Sequence, residues 1–274
     1  MNDSITRAAE AIAAAAGLLV TAGAGMGVDS GLPDFRGNEG FWRAYPPYAK
    51  LGLSFAELAN PRWFARDPAF AWGFYGHRLA LYRETVPHEG FAILQRLAAR
   101  TPRGAFVFTS NVDGQFQRAG FSPERIVECH GALDHLQCTH GCGVGIVTAD
   151  GYVPDVDEAT FRAREPLPRC PRCKALMRPN VLMFGDGEWE SDRSDAQEQR
   201  FAAWLGALDG PLVIVECGAG TAVPTVRRLG DGLARRGTLV RINVREPEVP
   251  AGHIGIAGGA RETLAAIEAA VAAS

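Results

Sequence analysis

The chain lacks both an excess of positive charge and a long apolar segment. Its 274 residues carry a formal net charge of −3, whereas proteins that bind nucleic acid irrespective of base sequence carry a basic surface. The most apolar stretch, residues 11–26, is shorter than the ~20 residues that a membrane-spanning helix needs. Asp3 and Glu10 flank Arg7 before it, unlike the basic start of a secretory signal. We therefore expect a cytoplasmic protein with no membrane and no direct nucleic-acid partner, and its oligomeric state is open.

Cysteine is too sparse for a disulfide scaffold, since a chain of this length has only six. Four of them form two closely spaced pairs, Cys138 with Cys142 and Cys170 with Cys173. Two such pairs are typical of a structural Zn²⁺ site, which would stabilise the polar segment between them. His140 is an alternative ligand, and four unrelated reduced thiols are the alternative to a metal site. Cys129 and Cys217 lie outside the pairs, and we predict that they are packing residues.

A glycine-rich segment, residues 22–37, directly follows a predicted buried strand at residues 18–21. Glycines after a strand let backbone N–H groups approach a phosphate closely. Gly23 and Gly25 match the first two positions of the dinucleotide fingerprint G-x-G-x-x-G, but Val28 occupies the third. The segment therefore predicts a nucleotide-binding loop, and a glycine-rich connection without a ligand is the alternative.

Polar or glycine-rich residues also follow four further predicted strands, at residues 104–109, 125–128, 211–217 and 238–243. The residues at these strand ends are Ser110–Gly114, His130 before Gly131, Gly218–Thr221 and Asn243. Open α/β sheets bind ligands at the carboxyl ends of their strands, so these residues are candidates for one site. The ordinary pKa of histidine suits His130 to general-base catalysis near neutral pH.

Strands alternate with predicted helices along the chain, which indicates an α/β fold. We predict a doubly wound parallel Rossmann-like sheet with a helical insert and a small zinc-binding module. The predicted boundaries are 1–40, 92–137 and 175–274 for the discontinuous sheet domain, 41–91 for the aromatic-rich helical module and 138–174 for the zinc-binding module. Residues 176–186 are predicted to be extended, and Pro179 favours an edge strand that could pair with a peptide.

Taken in order, these elements resemble the sirtuins from about residue 8 to residue 270. The family's GAG…SGxPDFR loop appears at residues 23–25 and 30–36, and its N-(I/V)-D element appears at residues 111–113. Its HG pair is His130-Gly131, and its RPxxxxFG segment spans residues 178–185. The two cysteine pairs, the late glycine-rich loop and the I-N pair at residues 242–243 follow the family order. The chain resembles a divergent, bacterial-type branch of that family.

The resemblance implies NAD-dependent removal of an acyl group from lysine in a protein or peptide, giving nicotinamide and 2′-O-acyl-ADP-ribose. It implies that His130 acts as general base on a ribose hydroxyl, Asp113 holds the carboxamide, and Asn111 holds the ribose or a bound water. Phe35 would shield the ribose face, and Arg36 would meet the pyrophosphate side. The cofactor-binding residues so implied are Ala22, Gly23, Ala24, Gly25, Asp34, Phe35, Arg36, Ser110, Asn111, Val112, Asp113, Gly218, Ala219, Gly220, Thr221, Asn243 and Ala260.

The resemblance also implies where the acyl-lysine substrate binds. The peptide would pair with residues 182–185, and the carbonyl of Leu182 would accept from the lysine Nε–H. The implied substrate-binding residues are Tyr75, Arg78, Leu182, Phe184 and Gly185. Tyr75 and Arg78 match the Tyr-x-x-Arg pair by which some sirtuins bind the carboxylate of succinyl, malonyl or glutaryl lysine. Acidic-acyl preference and plain deacetylation are both open, and an ordinary surface contact is the alternative for this pair.

Several residues depart from the family pattern, among them Gly27, Ser110, Gln115 and Phe116. Two other functions therefore stay open. One is protein ADP-ribosylation or NAD hydrolysis in the same pocket, and the other is a non-enzymatic module that senses NAD or ADP-ribose. The presence of His130 argues against a protein that only transfers ADP-ribose.

Overall fold

The computed structural model describes residues 3–34, 42, 45–157 and 159–273. Its α-helices are α1 (Asp3–Ala13), α2 (Pro46–Lys50), α3 (Phe55–Leu58), α4 (Arg62–Arg66), α5 (Pro68–Glu84), α6 (Glu89–Ala99), α7 (Gln115–Arg118), α8 (Asp192–Gly206), α9 (Thr225–Leu233) and α10 (Ala260–Ala273). Its strands are β1 (Gly17–Ala22), β2 (Ala105–Thr109), β3 (Ile126–Glu128), β4 (Gly131–Cys138), β5 (Val147–Thr148), β6 (Val156–Asp157), β7 (Arg162–Ala163), β8 (Met177–Val181), β9 (Leu212–Cys217), β10 (Gly237–Ile242) and β11 (Ile254–Ile256). Over these ranges, every helix is too short or too polar to cross a membrane.

Six parallel strands form the main sheet in the order β3–β2–β1–β9–β10–β11. The order reverses between β1 and β9, as in doubly wound dinucleotide-binding folds. Every residue of β1 is buried, because the strand pairs on both sides and both faces of the sheet are covered. The predicted doubly wound Rossmann-like sheet is confirmed.

Helices cover the sheet on both faces and create two separate hydrophobic cores. Successive residues of β1 point to opposite faces, so Leu18 and Val20 belong to one core and Leu19 belongs to the other. The first core includes α1, whose buried residues Ile5, Ala8, Ala9 and Ile12 follow the spacing of one helical face. The second core includes residues of α8 and α9.

A third core lies outside the main sheet and is built jointly by helices α3–α5, strands β4 and β8, and the segment that carries the cysteine pairs. This segment packs against α5 at two glycines. A Cβ added to Gly73 would lie 1.8 Å from the Phe161 carbonyl oxygen, and one added to Gly76 would lie 2.9 Å from Pro154 Cβ. The regions predicted as a helical module and a zinc-binding module therefore share one core.

The long helix α5 forms one side of the site described below. The Asp67 carboxylate accepts from the Phe70 N–H at 3.2 Å, and Pro68 occupies the first turn, so the helix has a well-defined start. Trp72 Nε1 donates to the carbonyl of Met177 in β8 at 2.9 Å. This bond fixes α5 against the edge strand of the three-stranded sheet β5–β4–β8.

Candidate active site

A cavity of about 590 Å³ lies at the carboxyl ends of β1, β2, β3 and β9, beside one face of α5. This volume is typical of small-molecule and cofactor sites. The predicted site residues that line it are Gly23, Ala24, Asp34, Tyr75, Arg78, Ser110, Asn111, Val112, Asp113, His130, Leu182, Phe184, Gly218, Ala219, Gly220 and Thr221. The structure therefore brings together residues from the nucleotide-type loops, the histidine and the predicted substrate set.

Other predicted residues stand next to this wall rather than in it. Asn243 Nδ2 donates to the carbonyl oxygen of Ala219 at 2.8 Å, and the Gly25 N–H donates to that of Gly218 at 3.0 Å. Both contacts support the loop after β9 from behind. The predicted residues Ala22, Gly185 and Ala260 do not line the cavity. Phe35 and Arg36 lie outside the described residues.

The loops after β1 and β9 touch each other where the strand order reverses. A Cβ added to Gly23 would lie 2.7 Å from Ala219 Cα. Gly218 has φ +63°, and a Cβ there would lie 2.3 Å from the carbonyl carbon of Gly25. Both positions require glycine, because any side chain would push the two loops apart.

Hydrogen bonds tie the loop after β2 to the loop after β1. Thr109 Oγ1 donates to the carbonyl of Ala22 at 3.0 Å and accepts from the Asn111 N–H at 3.0 Å. Asn111 Nδ2 donates to the carbonyl of Gly23, also at 3.0 Å. The Asn111 side chain is thus anchored at the cavity wall.

Asp113 places a carboxyl group in the same wall. Burial raises the pKa of Asp113 to about 6, although the Gln115 N–H donates to Oδ1 at 2.9 Å and opposes that rise. Among the described residues, only the Gln115 N–H donates to this carboxylate. An amide N–H of a ligand would stabilise it.

His130 projects into the cavity from the end of β3. Burial lowers the pKa of His130, and a hydrogen bond to the backbone of Ser110 offsets part of this effect. The ring is therefore neutral at pH 7 and able to accept a proton. Its Nε2 lies 3.4 Å from Thr225 Oγ1.

Gly131 allows this histidine to sit against the end of β8. It has φ +74°, and a Cβ there would lie 2.0 Å from the carbonyl oxygen of Asn180. The carbonyl of His130 accepts from the Leu182 N–H at 3.0 Å. The His-Gly pair is thereby joined to β8 and the residues that follow it.

Helix α8 holds the strand end that precedes His130 by binding every polar group of Glu128. Gln197 Oε1 accepts from the Glu128 N–H at 3.0 Å, and Ser194 Oγ donates to its carbonyl at 2.9 Å. Arg193 pairs with the buried Glu128 carboxylate. These contacts fix the end of β3 two residues before the imidazole.

The segment after β8 offers an accessible edge. The exposed fractions of Leu182 and Phe184 are 39% and 42%, which is high for large apolar side chains. A buried pair holds the segment in place, because Arg178 Nη1 and Nη2 donate to the Asp186 carboxylate at 2.7 and 2.9 Å. The backbone of Phe184 also bonds to Ala59, with 2.9 Å between N and O.

Tyr75 and Arg78 are buried in the cavity wall and so differ from an ordinary surface pair. The Tyr75 hydroxyl has no hydrogen-bond partner among the described residues. Burial raises the pKa of Tyr75, so that the phenol stays protonated and can donate to a ligand. Sequence reasoning missed Tyr82 and Glu246, which also line the cavity. The spacing of Tyr82 from Arg78, one helical turn, was the available indication for the first of these.

The four paired cysteines converge on one point. All their Sγ atoms lie within 4.8 Å of one another, with 3.5 Å between Cys138 and Cys173 and 3.6 Å between Cys142 and Cys170. Thiolates around a tetrahedral Zn²⁺ are about 3.8 Å apart, because each Zn–S bond is about 2.3 Å. The four sulfurs therefore fit a structural Zn²⁺, and His140 contributes only a backbone N–H, 3.4 Å from Cys138 Sγ.

Comparison with known proteins identifies the family. A model of the Sir2 family matches residues 23–201. The chain belongs to the Sir2 family. An "NAD-dependent protein deacylase" of Pyrococcus furiosus is 34% identical over 64% of this chain and 63% of that protein, so the aligned part spans slightly under two thirds of the relative. "NAD-dependent protein deacylase 2" of Pyrobaculum aerophilum is 32% identical over 93% of this chain and 91% of that protein.

A solved Sir2 structure agrees with this assignment over the whole chain. A "Sir2 homologue S24A mutant-ADP ribose complex" superposes with a TM-score of 0.74 at 27% identity and covers 100% of this chain and 97% of that one. The predicted resemblance to the sirtuins is confirmed, as are the NAD cofactor that it implied and the structural zinc that the cysteine pairs predicted.

Proposed function

We propose that this Sir2 protein is an NAD-dependent protein lysine deacylase. The observation that carries the proposal is a single cavity with three kinds of wall. Glycine-rich strand ends line one part, the neutral imidazole of His130 lines the next, and the accessible edge at Leu182 and Phe184 leads to Tyr75 and Arg78. Relatives named NAD-dependent protein deacylase support the same activity.

The nucleotide would bind along the strand ends. NAD supplies the ADP-ribosyl group that accepts the acyl group and releases nicotinamide. One water is consumed as the amide nitrogen leaves, so that nicotinamide, 2′-O-acyl-ADP-ribose and free lysine are the products. The backbone of Gly23–Gly25 and of Gly218–Thr221 would face the phosphates. Asp113 would accept from the carboxamide N–H, which replaces the donors that its buried carboxylate lacks.

His130 would take the proton of a ribose hydroxyl at the ring nitrogen that does not bond to the Ser110 backbone. A neutral imidazole is needed for this step, and the lowered pKa of His130 supplies it at pH 7. The hydrogen bond to the Ser110 backbone sets the ring orientation.

The peptide would bind as an added strand along residues 182–184. Its acyl-lysine would pass between this edge and α5, where the carbonyl of Leu182 accepts from the lysine Nε–H. The end of the acyl group would then reach Tyr75 and Arg78. A buried cation beside a protonated phenol favours a carboxylate, so we propose that the enzyme prefers acidic acyl groups such as succinyl and malonyl over acetyl.

Zinc would have a structural role in this protein. The four thiolates lie in the segment that packs on α5 through Gly73 and Gly76, away from the cavity wall. Cysteines that are not joined in disulfides persist in reducing compartments, which supports the cytoplasmic location that we propose.

The test is to incubate the purified protein with NAD and matched acetyl- and succinyl-lysine peptides and to follow every product by mass spectrometry. We expect 2′-O-acyl-ADP-ribose with both peptides, a higher kcat/KM for the succinyl peptide, and loss of this product in His130→Ala. Nicotinamide release without deacylated peptide would identify ADP-ribosyl transfer or NAD hydrolysis instead.

A further inference from the structure

The acyl end of the cavity contains a third polar side chain, that of Tyr82. It lies one turn after Arg78 on α5, only 5% exposed, and it lines the same cavity as Tyr75 and Arg78. The three residues occupy positions i, i+3 and i+7 and therefore share one face of the helix. Tyr82 is therefore close enough to orient the Arg78 guanidinium.

Tyr82 contacts Arg78 through both its hydroxyl group and its ring. Its phenol oxygen accepts from Arg78 Nε at 3.1 Å and from Nη2 at 2.8 Å. The guanidinium carbon also lies 5.3 Å from the centroid of the Tyr82 ring and 5.1 Å from that of Phe74. An arginine held in this way has lost its rotamer freedom before the substrate binds. Substrate binding therefore loses no further side-chain entropy at Arg78.

Tyr82 binds the guanidinium without cancelling its charge. Burial keeps the phenol protonated by raising its pKa, even though Arg78 opposes the rise. An Asp or Glu at this position would neutralise the cation, whereas a neutral phenol leaves the positive charge to act on a ligand. The other groups that interact electrostatically with Arg78 include the phenols of Tyr45 and Tyr75 and the carboxyl of Asp113.

We propose that Tyr82 is a specificity-determining positioning residue, which fixes the Arg78 guanidinium in the orientation that binds the carboxylate of an acidic acyl-lysine. This inference rests on the proposed preference for acidic acyl groups. It adds a residue that acts through Arg78 and extends the acyl-binding set along α5.

The experiment compares the zinc-loaded wild-type enzyme with Tyr82→Phe, which keeps the ring and removes the accepting oxygen. We expect the ratio of kcat/KM for succinyl-lysine over acetyl-lysine peptide to fall about tenfold, because the variant removes the hydrogen bonds that orient a charged group. A tenfold change corresponds to about 1.4 kcal/mol. The change should appear in KM for the succinyl peptide, and fluorescence anisotropy should show the same loss of affinity for that peptide.

Tyr152→Phe is the matched control. The Tyr152 hydroxyl is buried, and the side chain packs against the third core. Unlike that of Tyr82, this hydroxyl has no hydrogen-bond partner among the described residues, and Tyr152 does not line the cavity. This variant should leave kcat/KM unchanged for both peptides. Thermal unfolding and zinc content verify that each variant is folded.

The outcomes separate this inference from the proposed function. If the wild type prefers the succinyl peptide and Tyr82→Phe keeps the full preference, or loses both activities equally, the role of Tyr82 is wrong while the acyl preference stands. If the wild type does not discriminate, the acyl preference itself is wrong, and the role of Tyr82 fails with it.

Discussion

Asn111 Nδ2 donates a hydrogen bond to the carbonyl oxygen of Gly23, with 3.0 Å between the two atoms. The bond links the loop after β2 to the loop after β1. This bond joins two neighbouring strand ends at the centre of the sheet, next to the reversal of strand order. With the bond from Thr109 to the carbonyl of Ala22, it fixes the two loops relative to each other.

Asn111→Ala should therefore weaken the use of NAD more than the use of peptide. We expect kcat/KM for NAD to fall about 10–100-fold, because the substitution removes both the anchor to Gly23 and a polar group of the cavity wall. Steady-state kinetics with NAD and with peptide as the varied substrate measure the two effects. An unchanged kcat/KM for NAD would contradict the assignment.

Asp113→Asn should make the protein more stable and less active. The folded pKa of Asp113 is about 6 and its ordinary value is 3.8, so the unfolded state releases the proton more readily. The free energy of unfolding therefore decreases as pH rises from about 4 to 6. At pH 7 the ionised carboxylate destabilises the folded state by about 1–3 kcal/mol. The variant should have a higher Tm than the wild type at pH 7 and an equal one below pH 4, while deacylation falls. The same Tm difference at both pH values would refute the explanation.

The pH dependence of deacylation should reflect His130. Burial lowers the pKa of His130 below the ordinary 6.5, so the imidazole stays neutral when the pH falls to 6.5. We therefore expect kcat to decline only at pH values below 6.5. His130→Ala should lower turnover about 10²–10⁴-fold and remove this acidic limb. His140→Ala is the control, since that side chain is exposed in the cysteine segment, and its profile should match the wild type.

Loss of one thiolate should remove zinc. Cys173 is exposed, so Cys173→Ser leaves the apolar core intact while it reduces the ligand set to three. We expect zinc content to drop from about one per chain, Tm to fall, and KM for peptide to rise more than KM for NAD, because the segment packs on α5. Cys129→Ser should retain zinc. Full zinc content in Cys173→Ser would exclude the four-thiolate site.

Gly131→Ala should destabilise the fold by about 2–4 kcal/mol, since a Cβ would lie 2.0 Å from the Asn180 carbonyl oxygen at a backbone angle of φ +74°. Gly104→Ala separates the two causes. Gly104 has φ +63° but open space around the added atom, so only the conformational cost of about 1–2 kcal/mol applies. Denaturant unfolding of both variants measures the difference, and equal losses would mean that the close contact at Gly131 contributes nothing.

Much of the fold could be predicted from the sequence because the central strands are continuous apolar runs. Strand β9 was predicted as residues 211–217 and spans Leu212–Cys217, and the last helix was predicted and found at Ala260–Ala273. The strand β4 was missed, since Asp134 and His135 interrupt its apolar pattern where the pairing with β8 shifts register. Strand β11 was missed because it has only three residues, one of them a glycine.

Residues of the site followed a similar rule. Those at strand ends could be found from local pattern, because parallel strands bring their carboxyl ends to one edge. The pairing of Tyr82 with Arg78 and of Glu128 with three residues of α8 depends on how helices pack, which no short motif encodes. The need for glycine at position 131 likewise depends on the close backbone of Asn180, which is distant in sequence.

The separation of the three cores has a consequence for how this enzyme can diversify. Tyr75 and Tyr82 belong to the core shared by α5 and the cysteine segment, whereas the residues beneath the nucleotide loops, such as Ala22 and Cys217, belong to a core of the main sheet. Substitutions that reshape the acyl end are therefore absorbed in a body that does not carry the NAD-binding strands. Under the proposed function, acyl specificity could therefore change along a single helix face while the strands that carry the nucleotide loops stay the same.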